Sequence, residues 1–190
     1  MNKEIFFVTG NSGKFETAKE YLKIHAPSIN LKQYNINFIE EQTLDQLAIV
    51  KKKAFDAYLL LQKPVLVDDA GLYFDAYKNF PGTMTKFILQ SLGYDGVFKL
   101  LKTNNKALYQ VYMAYKENET TTHIFKGIQN GILKQSQATA PDGLPWDALF
   151  IPNGSSKTYT DLYNEKSHLN EQLISRIIAL QQLTSLINAK

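Results

Sequence analysis

Residues 4–22, EIFFVTGNSGKFETAKEYL, decide the fold class, because an apolar run leads through a glycine-containing turn into a helical pattern. Residues 4–9 predict a buried strand, and residues 13–25 predict a helix whose apolar side chains recur on one face. Pro27 ends this helix. A strand that turns directly into a helix is typical of α/β proteins, so the rest of the chain should continue the alternation.

The next segments do continue it. Residues 30–38 predict a strand, and a long amphipathic helix follows with Thr43 as its N-cap. The run PVLVDDAGL, residues 64–72, predicts a short buried strand that breaks at Asp68 and Asp69. This order of elements places two adjacent carboxylates at a predicted strand end.

The second half changes character from alternation to adjacent strands. Helices are predicted over residues 83–92, where Gly93 ends the helix, and over residues 95–102. Residues 107–117 and 121–133 are rich in Tyr, Val, Thr and Ile, and they predict a hairpin. Strand and helix alternation followed by adjacent strands predicts an α/β fold with a mixed central sheet flanked by helices.

A C-terminal helix is predicted from Glu165 to the end of the chain, with Leu169, Leu173, Ile177 and Leu180 as its apolar stripe. The sequence shows no internal repeat and no linker-like segment. We therefore predict one domain over residues 1–190.

Composition limits the function classes. The chain is 44% hydrophobic and 21% charged, which is ordinary for a globular protein, and no run approaches the roughly 18 apolar residues of a membrane span. No signal peptide is evident, and the absence of cysteine fits a reducing cytoplasm. A net charge of +3 is too modest to indicate a nucleic-acid-binding protein. Arg176 is the only arginine, so any anion should be held by lysines and backbone N–H groups.

The first candidate site is TGNSGK, residues 9–14. It differs from the Walker A pattern G-x-x-x-x-G-K-[ST] because only two residues separate Gly10 from Gly13 and Phe15 follows Lys14. Glycines, a helix N-terminus and a lysine still suit a phosphate. A plain strand-to-helix turn with a surface lysine explains this segment equally well.

The second candidate is the pair Asp68 and Asp69. Ligands bind at the carboxyl ends of strands in open α/β sheets, and adjacent strand residues face opposite sides. One carboxylate could therefore bind Mg²⁺ or activate water while the other braces the loop. A simple turn at a strand break is the alternative interpretation.

Weaker signals lie elsewhere. Glu41 precedes a helix that carries Lys53, although acidic residues also favour a helix N-terminus without any metal. Trp146 and Asp147 lie in a loop framed by proline and glycine, where they could contact a nucleoside, but a core tryptophan is slightly more common. Lys166 could reach a phosphate.

Taken in order, these segments resemble the inosine triphosphate pyrophosphatase family, which hydrolyses non-canonical purine nucleoside triphosphates. The resemblance runs nearly end to end and rests on FVTGNSGKFE, EE followed twelve residues later by KA, VDDAGL, FPGTMTKF, the paired KG and NG of the middle strands, WDALFIPNG, TYTDL and EK. It implies an elongated, two-lobed domain with an active cleft between the lobes, usually as a homodimer. It also implies Mg²⁺-dependent cleavage of a nucleoside triphosphate to a monophosphate and pyrophosphate.

The resemblance also implies roles for individual residues. The phosphates would be cradled by Thr9, Gly10, Asn11, Ser12, Gly13 and Lys14. Glu41 and Asp69 would hold Mg²⁺, and Asp69 would orient or deprotonate the attacking water. Lys53 and Lys166 would bind phosphate oxygens, while Trp146 and Asp147 would lie along the nucleoside. Asp68 matches a position that is acidic in the family.

Two base-reading elements depart from the family. The family has a His-Arg pair where an ungapped match places Glu171 and Gln172, and it has Phe-Gly where this chain has Leu144 and Pro145. We therefore expect retained pyrophosphohydrolase chemistry with an altered or relaxed base preference. A related enzyme for pyrimidine or modified nucleotides, or a non-catalytic nucleotide-binding protein, would be the alternatives.

Overall fold

The computed structural model describes residues 3–36, 38, 41–135, 144–165 and 172–189. Within these ranges the elements follow the order β1 (Lys3–Val8), α1 (Ser12–His25), β2 (Ile29–Tyr34), α2 (Gln46–Leu61), β3 (Val65–Phe74), β4 (Pro81–Gly82), α3 (Thr85–Leu101), β5 (Lys106–Lys116), β6 (Thr122–Leu133), β7 (Phe150–Pro152), α4 (Tyr159–Asn164) and α5 (Ser175–Asn188). No helix in the described ranges is long and apolar enough to cross a membrane.

The seven described strands form one mixed sheet in the order β2-β1-β3-β5-β6-β7, with β4 attached to β3. The strands β2, β1 and β3 are parallel, and the β5 and β6 hairpin and β7 continue the sheet in antiparallel fashion. The predicted α/β class with a mixed, helix-flanked sheet is therefore confirmed. The predicted hairpin also forms, because the near-alternating residues of β5 and β6 pair over their full length.

Helices cover both faces of the sheet. The larger apolar core, which includes Leu66 and Leu180, contains residues from α1, α3 and α5 on one face. The smaller core lies on the other face, where Val50 of α2 packs with Val67 and Ala114. Burial of such branched side chains contributes roughly 2 kcal/mol each, so the two cores fix the sheet between its helices.

The strand β3 joins the two parts of the sheet. It pairs with β1 only at Val65 and Leu66, whereas β5 pairs with all ten of its residues. The predicted break at Asp68 and Asp69 is therefore wrong, because β5 supplies a continuous ladder that outweighs the local turn preference. Both aspartates lie inside a strand.

The start of α2 also differs from the prediction. Its N-cap is Asp45, whose carboxylate accepts a hydrogen bond from the Ala48 N–H at 3.0 Å, and not Thr43. The Thr43 hydroxyl instead accepts from the Asp45 N–H at 3.2 Å, so Thr43 forms a turn ahead of the helix.

The C-terminal helix is shorter than predicted. The helix α5 begins at Ser175, and Glu165 is instead the C-cap of α4, which a Thr158–Asp161 capping box starts. Ile177 and Leu180 do lie in the core as predicted, while Leu169 lies outside the described residues. In α3, Gly93 adopts φ 62° and separates two helical pieces, as expected from the sequence, but the helix starts at Thr85.

Candidate active site

The N-terminus of α1 forms a capped turn directly after β1. Thr9 Oγ1 accepts from the Asn11 N–H at 3.1 Å, and Asn11 Oδ1 accepts from the Lys14 N–H at 3.0 Å. Gly10 and Ser12 are exposed, and Gly13 lies in the first turn of α1. The predicted phosphate segment therefore presents backbone N–H groups at a helix N-terminus, an arrangement that suits an anion.

Asp68 holds two cations from opposite ends of the chain. Lys14 Nζ donates to its Oδ1 at 2.9 Å, and Arg176 donates to its Oδ2 through Nε at 3.3 Å and Nη2 at 3.2 Å. The side chains of Asp68 and Arg176 are 1% and 2% exposed. Burial alone would raise the pKa of Asp68, but the charges of Lys14 and Arg176 outweigh it and hold that pKa below its ordinary value. Asp68 is therefore an ionised brace between α1, β3 and α5.

Asp69 faces the other side of β3, toward α2. Lys53 Nζ lies 3.6 Å from Asp69 Oδ1 and 3.5 Å from the Asp68 carbonyl oxygen. The two aspartates thus contact different partners, as their adjacent positions in a strand predict. The carboxylate of Asp69 therefore lies beside a lysine of α2, an arrangement that suits a carboxylate acting next to phosphate oxygens.

The second predicted metal ligand, Glu41, lies in the segment before α2 and is exposed. Its carbonyl oxygen accepts from the Thr43 N–H at 3.1 Å. No group of three His, Cys, Asp or Glu side chains in the described ranges could by itself hold a metal ion. Two carboxylates are the donor set that Mg²⁺ takes when substrate phosphates complete its shell, so the assignment of Glu41 and Asp69 to that ion stays a prediction.

The WD segment lies in the larger core. Trp146 is 5% exposed and packs edge-on against Phe74 with ring centroids 6.1 Å apart. The packing of this tryptophan therefore supports its interpretation as a core residue. Leu144 is also buried, and the Pro145 carbonyl oxygen accepts from the Tyr94 hydroxyl at 2.9 Å.

Asp147 is a completely buried carboxylate. Its Oδ1 accepts from the Tyr109 hydroxyl at 2.9 Å, while its Oδ2 has no hydrogen-bond partner among the described residues. Burial raises the pKa of Asp147 to about 6, although the charge of Arg176 and the hydrogen bond from Tyr109 both lower it. An unpartnered buried carboxylate oxygen beside a guanidinium is a candidate contact for a polar ligand edge.

Arg176 is the site residue that the sequence interpretation missed. Of the residues predicted near the base, Glu171 lies outside the described residues and Gln172 is exposed, and Lys166, predicted to bind phosphate, also lies outside them. The guanidinium whose charge reaches Asp147 belongs to Arg176, a few residues later. A lone arginine within a mostly apolar helix was the available signal, since an arginine is rarely buried unless its charge is paired.

A cavity of about 750 Å³ lies elsewhere, on the α2 side of the sheet. Its lining includes Gln46, Tyr73, Gln110 and the α2 N-cap Asp45, but not Lys14, Lys53, Asp68 or Asp69. We place the candidate site at the charged cluster, because that cluster combines a helix N-terminus, cations and buried carboxylates.

Comparisons with known proteins show the family and the fold. A protein-family model described as the Ham1 family matches residues 5–186. A dITP/XTP pyrophosphatase of Thermococcus kodakarensis is 30% identical over 167 residues, which cover 85% of this chain and 86% of that protein. An inosine triphosphate pyrophosphatase of Yarrowia lipolytica is 34% identical over 185 residues, covering 94% and 93%. The structure of a HAM1 protein from Coxiella burnetii has the same fold, with a TM-score of 0.76 at 21% identity, covering 99% of this chain and 100% of that one.

Proposed function

The chain belongs to the Ham1 family, and from this premise we propose that it is a nucleoside triphosphate pyrophosphohydrolase for purines with a 6-oxo group. The observation that carries the proposal is the convergence of Lys14, Lys53 and Arg176 on the adjacent carboxylates of Asp68 and Asp69, beside the N-terminus of α1. Two similar proteins, named as a dITP/XTP pyrophosphatase and an inosine triphosphate pyrophosphatase, support the same substrate class.

The phosphates would lie at the start of α1. Its backbone N–H groups and the ammonium groups of Lys14 and Lys53 would neutralise charge on the leaving pyrophosphate. In the ligand-free protein Lys14 is paired with Asp68. A triphosphate would share this lysine with Asp68, and the carboxylate would keep the ammonium group aimed at the site.

Asp69 would act on the water. Water attacks the α-phosphorus, the bond from that phosphorus to the β-bridging oxygen breaks, and the products are a monophosphate and pyrophosphate. Asp69 would orient this water and take its proton, which then passes to solvent. Mg²⁺, held by Glu41 and Asp69, would supply charge neutralisation at the phosphate oxygens.

The base would be read by Arg176 and Asp147. A 6-oxo purine presents a carbonyl acceptor at C6 and an N1–H donor, and these match a guanidinium and a carboxylate. Asp68 accepts from two of the five N–H groups of Arg176, so a guanidinium at this place can serve a second acceptor. The altered base preference expected from the sequence is not part of this proposal, because that expectation rested on the loss of the arginine.

Leu144 and Pro145 remain a departure from the family pattern. Neither has an aromatic ring on which a base could stack, so binding of the base would depend more on hydrogen bonds than on stacking. We expect this to raise KM without changing which base is preferred.

A nucleotide panel with pyrophosphate detection tests the function. We expect dITP, ITP and XTP to be cleaved in the presence of Mg²⁺ at least about 100-fold more efficiently than dATP or dCTP.

Lys14→Ala and Asp69→Asn should each lower kcat by about 1,000-fold or more while the far-UV circular dichroism is retained. Lys19→Ala, a change on the exposed face of the same α1 helix, is the matched control and should retain full activity. Equal cleavage of all nucleotides would refute the base assignment, and activity in either site variant would refute its role.

We also propose a homodimer in the cytoplasm. Ile128 and Ile132 project from the same face of β6 and are 39% and 37% exposed, which supports a partner on that face. The cysteine-free sequence supports a reducing compartment. Light scattering should give twice the 21.6 kDa of one chain, and a monomer at micromolar concentration would contradict the dimer.

A further inference from the structure

Gln46, the first residue of α2, has a buried side-chain amide beside the predicted catalytic carboxylate. The residue is 3% exposed, and its Nε2 donates to the Asp69 carbonyl oxygen at 3.0 Å. The same nitrogen lies 3.3 Å from the Gln110 carbonyl oxygen. Gln46 thus forms a buried hydrogen bond to the backbone of Asp69, and the proposed mechanism assigns it no role.

The orientation of this amide is fixed by two donors. Tyr73 donates its hydroxyl to Gln46 Oε1 at 3.1 Å, and Gln110 Nε2 donates to the same oxygen at 2.7 Å. Since Oε1 faces the Gln110 amide donor and Nε2 faces two carbonyl oxygens, a flipped amide would lose these three contacts. Gln46 therefore presents its N–H group to Asp69 in one orientation only.

We propose that Gln46 is a positioning residue that fixes Asp69 relative to the start of α2. The inference rests on the proposed function, because it assigns Gln46 a task in placing the carboxylate that binds Mg²⁺ and meets the attacking water.

The sheet explains why such a residue is needed. The described strands leave residues 67–71 of β3 paired with β5 alone, because β1 pairs only up to Leu66 and pairing with β4 starts at Leu72. Two side chains from α2 contact the backbone of this stretch, namely Gln46 at the Asp69 carbonyl and Lys53 near the Asp68 carbonyl. These two residues are seven positions apart, which is about two helical turns, so they lie on the same face of α2.

The same end of α2 carries the segment with Glu41. Thr43 follows Glu41 in this segment, and its carbonyl oxygen accepts from the Thr83 hydroxyl at 2.6 Å. The segment is thus tied down on one side by Thr83, and Gln46 ties the adjoining helix to Asp69. Gln46 therefore sets the spacing between the two carboxylates that are proposed to share the metal ion.

The first test replaces the amide without emptying its space. In Gln46→Leu we expect kcat to fall by about 10-fold to 100-fold and the Mg²⁺ concentration for half-maximal activity to rise by about 10-fold. The KM for dITP should stay within about twofold, because Gln46 contacts none of the residues assigned to phosphate or base. A uniform loss of folded protein would also lower apparent kcat at unchanged KM, so the rise in the Mg²⁺ concentration for half-maximal activity is the readout that distinguishes a positioning role.

A second readout needs no turnover. Mn²⁺ binding to the protein in the presence of inorganic pyrophosphate, followed by electron paramagnetic resonance, should weaken by about 10-fold in Gln46→Leu. Tyr73→Phe is the milder variant, because it removes one donor to the amide and keeps the ring, so we expect about a threefold loss in both measurements. It also guards against a Gln46 variant that fails to fold.

Gln182→Ala is the matched control. Its amide also ties a helix to a strand, since Nε2 donates to the Lys126 carbonyl oxygen at 2.7 Å, but it joins α5 to β6 on the exposed surface. We expect wild-type kcat and Mn²⁺ affinity in this variant. The inference is overturned if Gln46→Leu keeps both values within twofold of wild type, or if Gln182→Ala loses as much as Gln46→Leu. If the wild-type protein cleaves no triphosphate, the proposed function fails, and Mn²⁺ affinity still decides the role of Gln46.

Discussion

Replacing Asp147 by Asn should stabilise the protein in a pH-dependent manner. The carboxyl group is completely buried, and its pKa is raised from 3.8 to about 6, first by burial and in spite of Arg176 and Tyr109. A difference of about two units between the folded and unfolded chain corresponds to roughly 3 kcal/mol. Asn keeps the shape, and its Oδ1 can still accept from the Tyr109 hydroxyl.

The sign follows from which state loses its proton first. Below pH 3.8 both states are protonated, so Asp147 adds no pH dependence there. As pH rises from about 4 to 6, the unfolded chain ionises while the folded chain resists, and wild-type stability falls. Above about pH 6 the full penalty of roughly 3 kcal/mol is present. Asp147→Asn lacks this penalty at every pH, so its advantage should be near zero at pH 4 and reach its full size at pH 8.

Thermal unfolding followed by circular dichroism at several values between pH 4 and pH 8 measures this difference. For a chain of this size we expect Asp147→Asn to unfold roughly 6 to 12 °C above wild type at pH 8. Asp161→Asn is a control of opposite sign, because hydrogen bonds from Thr158 lower the pKa of Asp161 and its contribution is lost on acidification. Parallel curves for wild type and Asp147→Asn, or a less stable variant at pH 8, would refute the reasoning.

Three further changes test the packing around the site. Gly127→Ala should destabilise by roughly 3 kcal/mol or more in urea unfolding, because the new Cβ would lie 1.7 Å from the Ser175 carbonyl oxygen, and a wild-type midpoint would contradict this close approach. Asp68→Asn should cost about 3 to 5 kcal/mol at pH 7, since it leaves two cations without their shared carboxylate. That loss should shrink as pH falls through the lowered pKa of Asp68, and a pH-independent loss would argue against an ionised brace. Thr85→Val should cost about 1 to 3 kcal/mol, because the Leu72 N–H loses the hydroxyl that accepts from it at 3.0 Å, and an unchanged urea midpoint would show that another group replaces it.

Local patterns were enough to predict the part of the site that neighbouring residues build. The turn from β1 into α1 was predicted from its glycines and the change from a strand to a helix pattern, and the structure adds Asn11 as the cap. The opposite directions of Asp68 and Asp69 follow from the period of a strand. Each of these features depends on contacts within a few residues along the chain.

Features that depend on distant partners could not be predicted in this way. The continuation of β3 past Asp68 depends on β5, which lies about forty residues later. The start of α5 depends on Ser175, whose hydroxyl donates to the Tyr109 carbonyl oxygen at 3.1 Å and whose N–H donates to the Tyr159 hydroxyl at 3.1 Å. Only this long-range anchoring of α5 brings Arg176 to Asp68. Helical periodicity alone extended the helix toward Glu165 instead.

The unbroken pairing of β3 with β5 also decides which parts of the site can move. A hinge inside β3 would have to break backbone hydrogen bonds to β5, so we expect the two aspartates to keep fixed positions. Any closure around a nucleotide must then come from movement of the start of α1 and the segment before α2 toward the two aspartates. In hydrogen exchange, the amides of residues 67–71 should be slow with or without nucleotide, while those of residues 10–14 gain protection only when it binds. Fast exchange in β3 that nucleotide slows would place the moving part in the strand itself.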